Sequence, residues 1–329
     1  MVKPIRLAIT GASGQSGYSL VFRVAAGGML GPEQPVSLHL LELPENQDRL
    51  HALELELKDC AFPLLADLRI GTDPFEIFRE ADWIILLPAH PLHKGQTQFD
   101  LLRQNGPYFV EYGRAINKAS PTARILVAAN PTNTNCLIAK SHAQDVPAEH
   151  WFAMNRVRWM RATAMVAEKA GVPVSHVTGV TIWGNASPSA YIDLHNAHID
   201  HRPVSEIITD RAWVREVLEP TIAHRSAEIL DLCGHPPAGT IAQAVLGTIR
   251  SITTPTPFGR RICAAVVSDG SYGVPRGLIF GFPLYTEDGR SWSICQGLYL
   301  DSYALERIAA NIAEIEHEAM IVSNLLGTV

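Results

Sequence analysis

Residues 5–17 read I-R-L-A-I-T-G-A-S-G-Q-S-G, and the reading of this stretch decides the fold. IRLAIT is a short apolar run bounded by glycine, the pattern of a buried strand. A G-x-x-G-x-x-G loop follows at once, and YSLVFRVAAGG (18–28) then carries a helical period. Strand, glycine loop and helix in that order open a dinucleotide-binding βαβ unit. Gly11 would allow the tight turn. Gly14 would let backbone approach a pyrophosphate, and Gly17 would let the helix pack close on the sheet. Gln15 opens a helix whose N-terminus faces the phosphate charge. Glycine turns are common, so the loop alone also fits a purely structural turn. Glu42 adds context: it closes the next strand, VSLHLLEL, 25 residues past Gly17. A carboxylate there accepts from the ribose 2′-OH of NAD and repels a 2′-phosphate, so NAD is the expected cofactor. Asn46 and Arg49 nearby leave NADP open.

Strand and helix patterns continue to alternate outward from this loop. NQDRLHALELELKDCAF (46–62) and FDLLRQNGPYFVEYGRAIN (99–117) have helical periods. DWIILLP (82–88) and ARILVAAN (123–130) read as strands. That alternation predicts an α/β fold with a Rossmann-type doubly wound parallel sheet. The later half is less regular. It opens with a helix over about 156–170, places strands near 177–184, 260–268 and 277–285, and closes on an amphipathic helix from Ser302. The expected division is a cofactor domain over residues 1–150 and an α/β substrate domain over 151–329. With 47% hydrophobic and 18% charged residues and a net charge of −6, the composition is that of a globular chain. No basic run reaches five residues, which argues against nucleic acid as a partner. The N-terminus lacks a signal-peptide pattern and no apolar run is long enough for a bilayer, so no membrane is expected. The five cysteines form no C-x-x-C pair. The expectation is a reduced cytoplasm and no metal site.

Six segments then carry a resemblance: ITGASGQSGYSLVFRVAAGGMLG (9–31), LKDCAFPLL (57–65), NPTNTN (130–135), TIWGN (181–185), SYGVPRG (271–277) and the final helix. Together they resemble the malate dehydrogenases, in the branch of cytosolic and many bacterial dimeric forms, over essentially the whole chain. The resemblance implies a lactate/malate dehydrogenase-like substrate domain, a homodimer, NAD and a small anionic substrate. It places Asn105, Ala128, Ala129 and Asn130 along the NAD site, with Asn130 also touching substrate and Thr240 nearby. Tyr112 stands where the family tends to have a cofactor-contacting glutamine.

The catalytic positions depart from the family. Its lid pattern P-R-x-x-G-M-x-R is P-L-H-K-G-Q-T-Q here, residues 91–98, so Leu92 and Gln98 replace two arginines. Its R-L-D-x-x-R pattern is R-V-R-W-M-R, residues 156–161. Arg158 replaces the aspartate that orients the catalytic histidine, and the carboxylate-clamping arginine remains as Arg161. The histidine itself, after W-G-N, is Ala186. The lid loses two positive charges and the floor gains two, so the formal charge is unchanged but moved inward. Arg158 and Arg161 are three apart on a helix and share a face. At roughly 6 Å and an effective dielectric near 20 they would repel by about 3 kcal/mol, which an anion between them would relieve. Alternatively, Arg158 turns outward to a surface carboxylate. His90, His93 and Lys94 on the lid are candidate proton acceptors or ligands; solvated loop residues are the plainer reading. Trp159 walls the pocket or simply packs. Three functions stay open at this point: an NAD-dependent oxidoreductase on an anionic substrate other than malate, a non-redox enzyme with NAD as structural or transient cofactor or as substrate, and a non-catalytic binding protein.

Overall fold

The structure is a computed structural model that describes residues 2–90, 92–93 and 95–327. β1 (Ile5–Thr10) ends at the glycine loop and α1 (Gln15–Ala25) begins beyond it. β2 (Val36–Leu41) is buried at all six positions. Unbroken burial is what a parallel strand covered by helices on both faces requires. α2 (Gln47–Asp59), β3 (Leu65–Gly71), α3 (Pro74–Ile77), β4 (Trp83–Leu86), α4 (Gln98–Ala119), β5 (Arg124–Val127), α5 (Thr132–Ser141) and β6 (Trp151–Ala153) complete the first half. The six strands run parallel in the order β3-β2-β1-β4-β5-β6. The order reverses between β1 and β4. In an open α/β sheet the crevice beyond the strand ends at that reversal is where ligands bind. β3 and β6 have no counterpart in the sequence reading: β3 is a half-exposed edge strand without clean alternation, and β6 is three residues long.

The sheet continues into the second half without a break. Ala265 of the strand Ile262–Val267 pairs antiparallel with Ala153, and the strand Ile279–Tyr285 pairs antiparallel with the former. α6 (Arg156–Ala170) spans the predicted range and stops at Gly171, whose φ of 67° supplies the left-handed cap. An antiparallel pair, Thr181–Trp183 and Tyr191–Asp193, carries the loop that contains Ala186. Helix Ala238–Thr253 packs on both α1 and α6, tying the two halves together. The C-terminal helix Ser302–Ile321 is N-capped by Asp301, which accepts from the Ala304 amide at 2.8 Å. Its buried stripe is Ala304, Ile308, Asn311, Ile315 and Glu318. Two polar residues in an otherwise apolar stripe need partners: Asn311 finds its partners at the loop around Ala186, and Glu318 finds one at Thr134 of α5.

Candidate active site

The glycine loop has the shape that its spacing implied. Gly11 sits at φ +57°, and a Cβ there would lie 2.8 Å from the Pro88 carbonyl oxygen. A Cβ on Gly17 would lie 2.3 Å from the Gly11 oxygen and 2.5 Å from the Ala12 oxygen, so only glycine lets α1 seat on the loop. Gly14 is the N-cap of α1 and provides no side-chain cap. The first amides of α1 are therefore free for an anion, and Gln15 beside them is exposed. Glu42 is buried. Its Oε1 accepts from the Ser13 amide at 2.9 Å and the Ser13 hydroxyl at 2.8 Å. Its Oε2 accepts from the Leu43 amide at 3.1 Å and Asn46 Nδ2 at 3.2 Å. The carboxylate thus stands beside the loop that would cradle a pyrophosphate. An NAD molecule with its phosphates on α1 and its ribose toward Glu42 fits these residues.

The other cofactor candidates lie along the same strand ends. Ala128 is buried at the end of β5, and its amide bonds the Leu86 carbonyl at 2.8 Å. Asn130 follows, exposed, with its backbone carbonyl held by Asn135 Nδ2 at 3.2 Å. Asn105 is fully buried, and its side chain is used internally. It accepts from the His90 amide at 2.9 Å and donates to the His90 and Leu101 carbonyls. It anchors the base of the lid. Tyr112 packs in the core against Phe78 and Phe109. Burial raises its phenol pKa, with Glu42 adding to the effect.

The lid residues face different partners. His90 Nε2 is 3.3 Å from the Tyr108 hydroxyl, with the rings 5.5 Å apart. His93 is exposed, and its amide donates to Gln96 Oε1 at 2.8 Å within a turn. Lys94 lies outside the described residues. Gln98 is the first residue of α4, exposed, behind a capping box of Thr97 and Asp100.

The two floor arginines part company. Arg158 is 6% exposed, and its Nε donates to the Ala186 carbonyl at 2.8 Å. Among the described residues neither of its Nη groups has a hydrogen-bond partner, so one edge of the guanidinium is open. Burial above all, with Arg161 and Arg307 adding to it and Glu314 opposing them, lowers its pKa to about 10. Arg161 points instead toward helix Glu219–Cys233. It donates to the Ile222 carbonyl at 3.2 Å and the Ser226 hydroxyl at 2.7 Å. There it lines a separate cavity of about 230 Å³ with Glu168, Thr221 and Arg225. A single anion held between Arg158 and Arg161 does not follow from this geometry, because helix-surface neighbours can still aim in different directions. Arg158 does not turn to a surface carboxylate either. Trp159 packs: its Nε1 donates to the Val180 carbonyl and Arg156 stacks on its ring at 4.5 Å. Thr240 is half-buried near the start of its helix.

Of four residues of the C-terminal helix that sequence reasoning missed, three hold the loop at Ala186 and the fourth, Glu318, bonds α5. Asn311, fully buried, accepts from the Asn185 amide at 3.0 Å and donates to Asn185 Oδ1 at 2.8 Å. Glu314 accepts from Ser187 Oγ at 3.0 Å, from Ser189 Oγ and from Asn185 Nδ2 at 3.4 Å. Arg307 donates to the Pro188 carbonyl at 2.9 Å. Glu318 accepts from the Thr134 hydroxyl of α5, and burial raises its pKa. The signal was the i, i+4, i+7 spacing of Arg307, Asn311 and Glu314, polar residues on one face of a helix otherwise read only as amphipathic.

A profile of the lactate/malate dehydrogenase NAD-binding domain matches residues 5–151, and one of the α/β C-terminal domain of the same enzymes matches residues 158–323. The chain is 34% identical to malate dehydrogenase from Naegleria fowleri, with a TM-score of 0.93 over 99% of this chain and 100% of that one. It is 31% identical to Trichomonas vaginalis lactate dehydrogenase, solved with NADH and oxamate, with a TM-score of 0.93 over 98% of both chains. Malate dehydrogenase from Plasmodium falciparum, 18% identical at a TM-score of 0.83, shares the fold. The glycine cradle, the strand order and both domain matches place this chain in the lactate/malate dehydrogenase family, with NAD as its cofactor.

Proposed function

We propose that this protein is an NAD-dependent oxidoreductase acting on a small anionic substrate other than malate. The observation that carries the reading is the pairing of an intact cofactor cradle with a rebuilt floor. Arg158 is buried, holds Ala186 in place through Nε, and keeps its Nη edge free. A free guanidinium edge binds a carboxylate or phosphonate as a two-pronged fork. A buried charge without a counterion is costly, and a bound acid group offsets that cost. Malate recognition in the family rests on two lid arginines. Here those positions are Leu92 and Gln98, so the grip on a distal carboxylate from the lid is missing.

When bound, NAD supplies the hydride acceptor. The chain's own residues orient the acid group at Arg158, close the crevice with the segment that Asn105 anchors, and present Asn130 at the strand end. His90 and His93 remain candidates for contacts made when that segment closes. In this reading the chain works as a homodimer in the cytoplasm, and its two functional units meet near residue 150. The test incubates the protein with NAD⁺ and a panel of 2-hydroxy acids, following NADH absorbance beside mass-resolved products. Arg158→Met should raise KM for the accepted acid about 10²-fold, as loss of a buried charged hydrogen-bond donor costs roughly 2–5 kcal/mol, while NADH affinity stays put. Ordinary malate turnover by the unaltered protein would sink the proposal.

A further inference from the structure

Arg161 leaves the floor for a cavity of its own. α6 and helix Glu219–Cys233 pack against each other, and a space of about 230 Å³ lies between them. From α6 it is lined by Arg161, Met165 and Glu168, whose i, i+4, i+7 spacing puts them on one strip of the helix. From the other helix come Thr221, Ile222 and Arg225. At about 30 Å³ of liquid per water, the space takes several waters or one small ion. Among the described residues, neither Arg158 nor any part of the cofactor cradle lines it.

The charges around this space do not cancel. Arg161 is half-buried and donates to two neutral acceptors, the Ile222 carbonyl at 3.2 Å and the Ser226 hydroxyl at 2.7 Å. Those bonds use two of the five N–H groups of a guanidinium. Burial, and after it the neighbouring Arg225, lower its pKa to about 10, and no acid offsets them. Arg225 lines the cavity from the second helix. Its Nε lies 3.0 Å from Glu228 Oε2, but both side chains are exposed and Glu228 is not part of the lining, so that pair holds Arg225 only weakly. The one acid in the lining is Glu168. It stands about 10 Å along the helix axis from Arg161, and among the described residues it forms no ion pair with either arginine. The cavity therefore keeps an excess of positive charge.

We propose that this cavity is an oxyanion site, separate from the floor at Arg158, and that the group it takes is phosphate, free or as a monoester. Donors stand on both walls: Arg161 on one, Arg225 and the Thr221 hydroxyl on the other. A planar carboxylate is satisfied by a single guanidinium fork. A tetrahedral oxyanion has acceptors for both walls at once. Met165 and the buried Ile222 back the space with apolar surface, which lowers the local dielectric and strengthens each charge contact. A bound anion also relieves the repulsion between Arg161 and Arg225. The site is independent of the dehydrogenase reading, because it stands whether or not the floor at Arg158 holds a substrate.

The experiment titrates the full chain, saturated with NADH, with inorganic phosphate, methyl phosphate and acetate in a calorimeter, at an ionic strength held constant with sodium chloride. NADH keeps the glycine loop occupied, so phosphate drawn to that loop does not enter the signal. Phosphate should bind, and Arg161→Gln and Arg225→Gln should each weaken it roughly 10–100-fold, the usual effect of losing a hydrogen bond to a charged group. Arg225 is exposed, so its variant keeps the fold even where Arg161→Gln loosens the helix pair. Glu168→Gln should tighten binding several-fold, because the like charge in the lining is gone. Arg158→Met should change the affinity only a few-fold. Tighter binding of inorganic phosphate assigns the site to the free ion, and tighter binding of methyl phosphate to a phosphorylated metabolite; either sustains the proposal. Acetate that binds as tightly as phosphate overturns the phosphate assignment. No binding at millimolar phosphate, or binding lost in Arg158→Met and kept in Arg225→Gln, overturns the site itself and leaves the dehydrogenase reading standing.

Discussion

Replacing Glu42 by alanine tests how the cofactor cradle is held. Four donors meet its carboxylate: the Ser13 amide and hydroxyl, the Leu43 amide and Asn46 Nδ2. They differ in what happens when the carboxylate leaves. The Leu43 amide belongs to a buried residue, so water cannot replace its partner, and an orphaned buried donor costs about 1–3 kcal/mol. Ser13 and Asn46 are half-buried and regain water, leaving a net loss of about 0.5 kcal/mol per bond. Glu42→Ala should therefore destabilise the fold by roughly 2.5–4.5 kcal/mol. The Ser13 bonds also fix the loop that presents the α1 amides. Their loss, with that of the ribose acceptor, should weaken NADH binding roughly 10–100-fold, or about 1.4–2.8 kcal/mol. Because the negative charge no longer repels a 2′-phosphate, NADPH should lose less than NADH. Urea unfolding and calorimetric titration with both cofactors measure the three quantities. If urea midpoint and NADH affinity both stay within error of the unaltered protein, the carboxylate neither holds the loop nor meets the ribose.

Gly17→Ala should cost about 1–3 kcal/mol of stability through overpacking and reduce NADH affinity more than tenfold, since the new Cβ meets two backbone oxygens that cannot step aside; thermal melts and fluorescence titration check both. Glu318 has a folded-state pKa raised by burial, so its ionisation opposes folding. Stability should fall as pH rises from the ordinary carboxylate range through that raised value, and Glu318→Gln should flatten the trend in melts taken across pH. Ala186→His alone should not restore malate oxidation, because the new imidazole would face Arg158 rather than an aspartate and its cation would be disfavoured. Malate dehydrogenase assays of that single variant, compared with one that also carries the family residues at 92, 98 and 158, decide the point.

The cofactor half was legible in the sequence because its constraints are local. A strand, three glycines and a carboxylate 25 residues on are close in sequence, and the structure gives Gly11 the tight turn, Gly17 the close contact of helix and loop, and Glu42 a bond to the loop at Ser13. α6 was legible to its last residue, since a helical period ending in glycine is also local information. β3 and β6 were not. An edge strand lacks the burial pattern of the interior, and a three-residue strand has no periodicity to detect. The floor was half legible. Motif spacing located Arg158, Arg161 and Ala186, but the direction of a guanidinium depends on which carbonyls the fold brings near. Ile222 and Ser226 claimed Arg161 from 61 and 65 residues away. Glu314 lies 127 residues from Ser187, and no local pattern links them.

The inward movement of charge acquires a physical sense from these partners. A lid arginine binds substrate only when the lid is closed, so part of the binding free energy is spent ordering the segment. Arg158 sits on a helix, 6% exposed, already oriented by the Ala186 carbonyl. Even with its pKa lowered to about 10 it remains a cation at neutral pH, so the floor carries its charge whether or not anything is bound. Arg161 and Arg307 add like charge, and Glu314 opposes them. Glu314, however, is already engaged by two serines and an asparagine, and it does not close an ion pair with the open edge of Arg158. The protein thus keeps a desolvated, preoriented cation at the loop that contains Ala186. Under the proposed function, the group that offsets this cation is the acid group of a substrate, held before the lid closes and not by it.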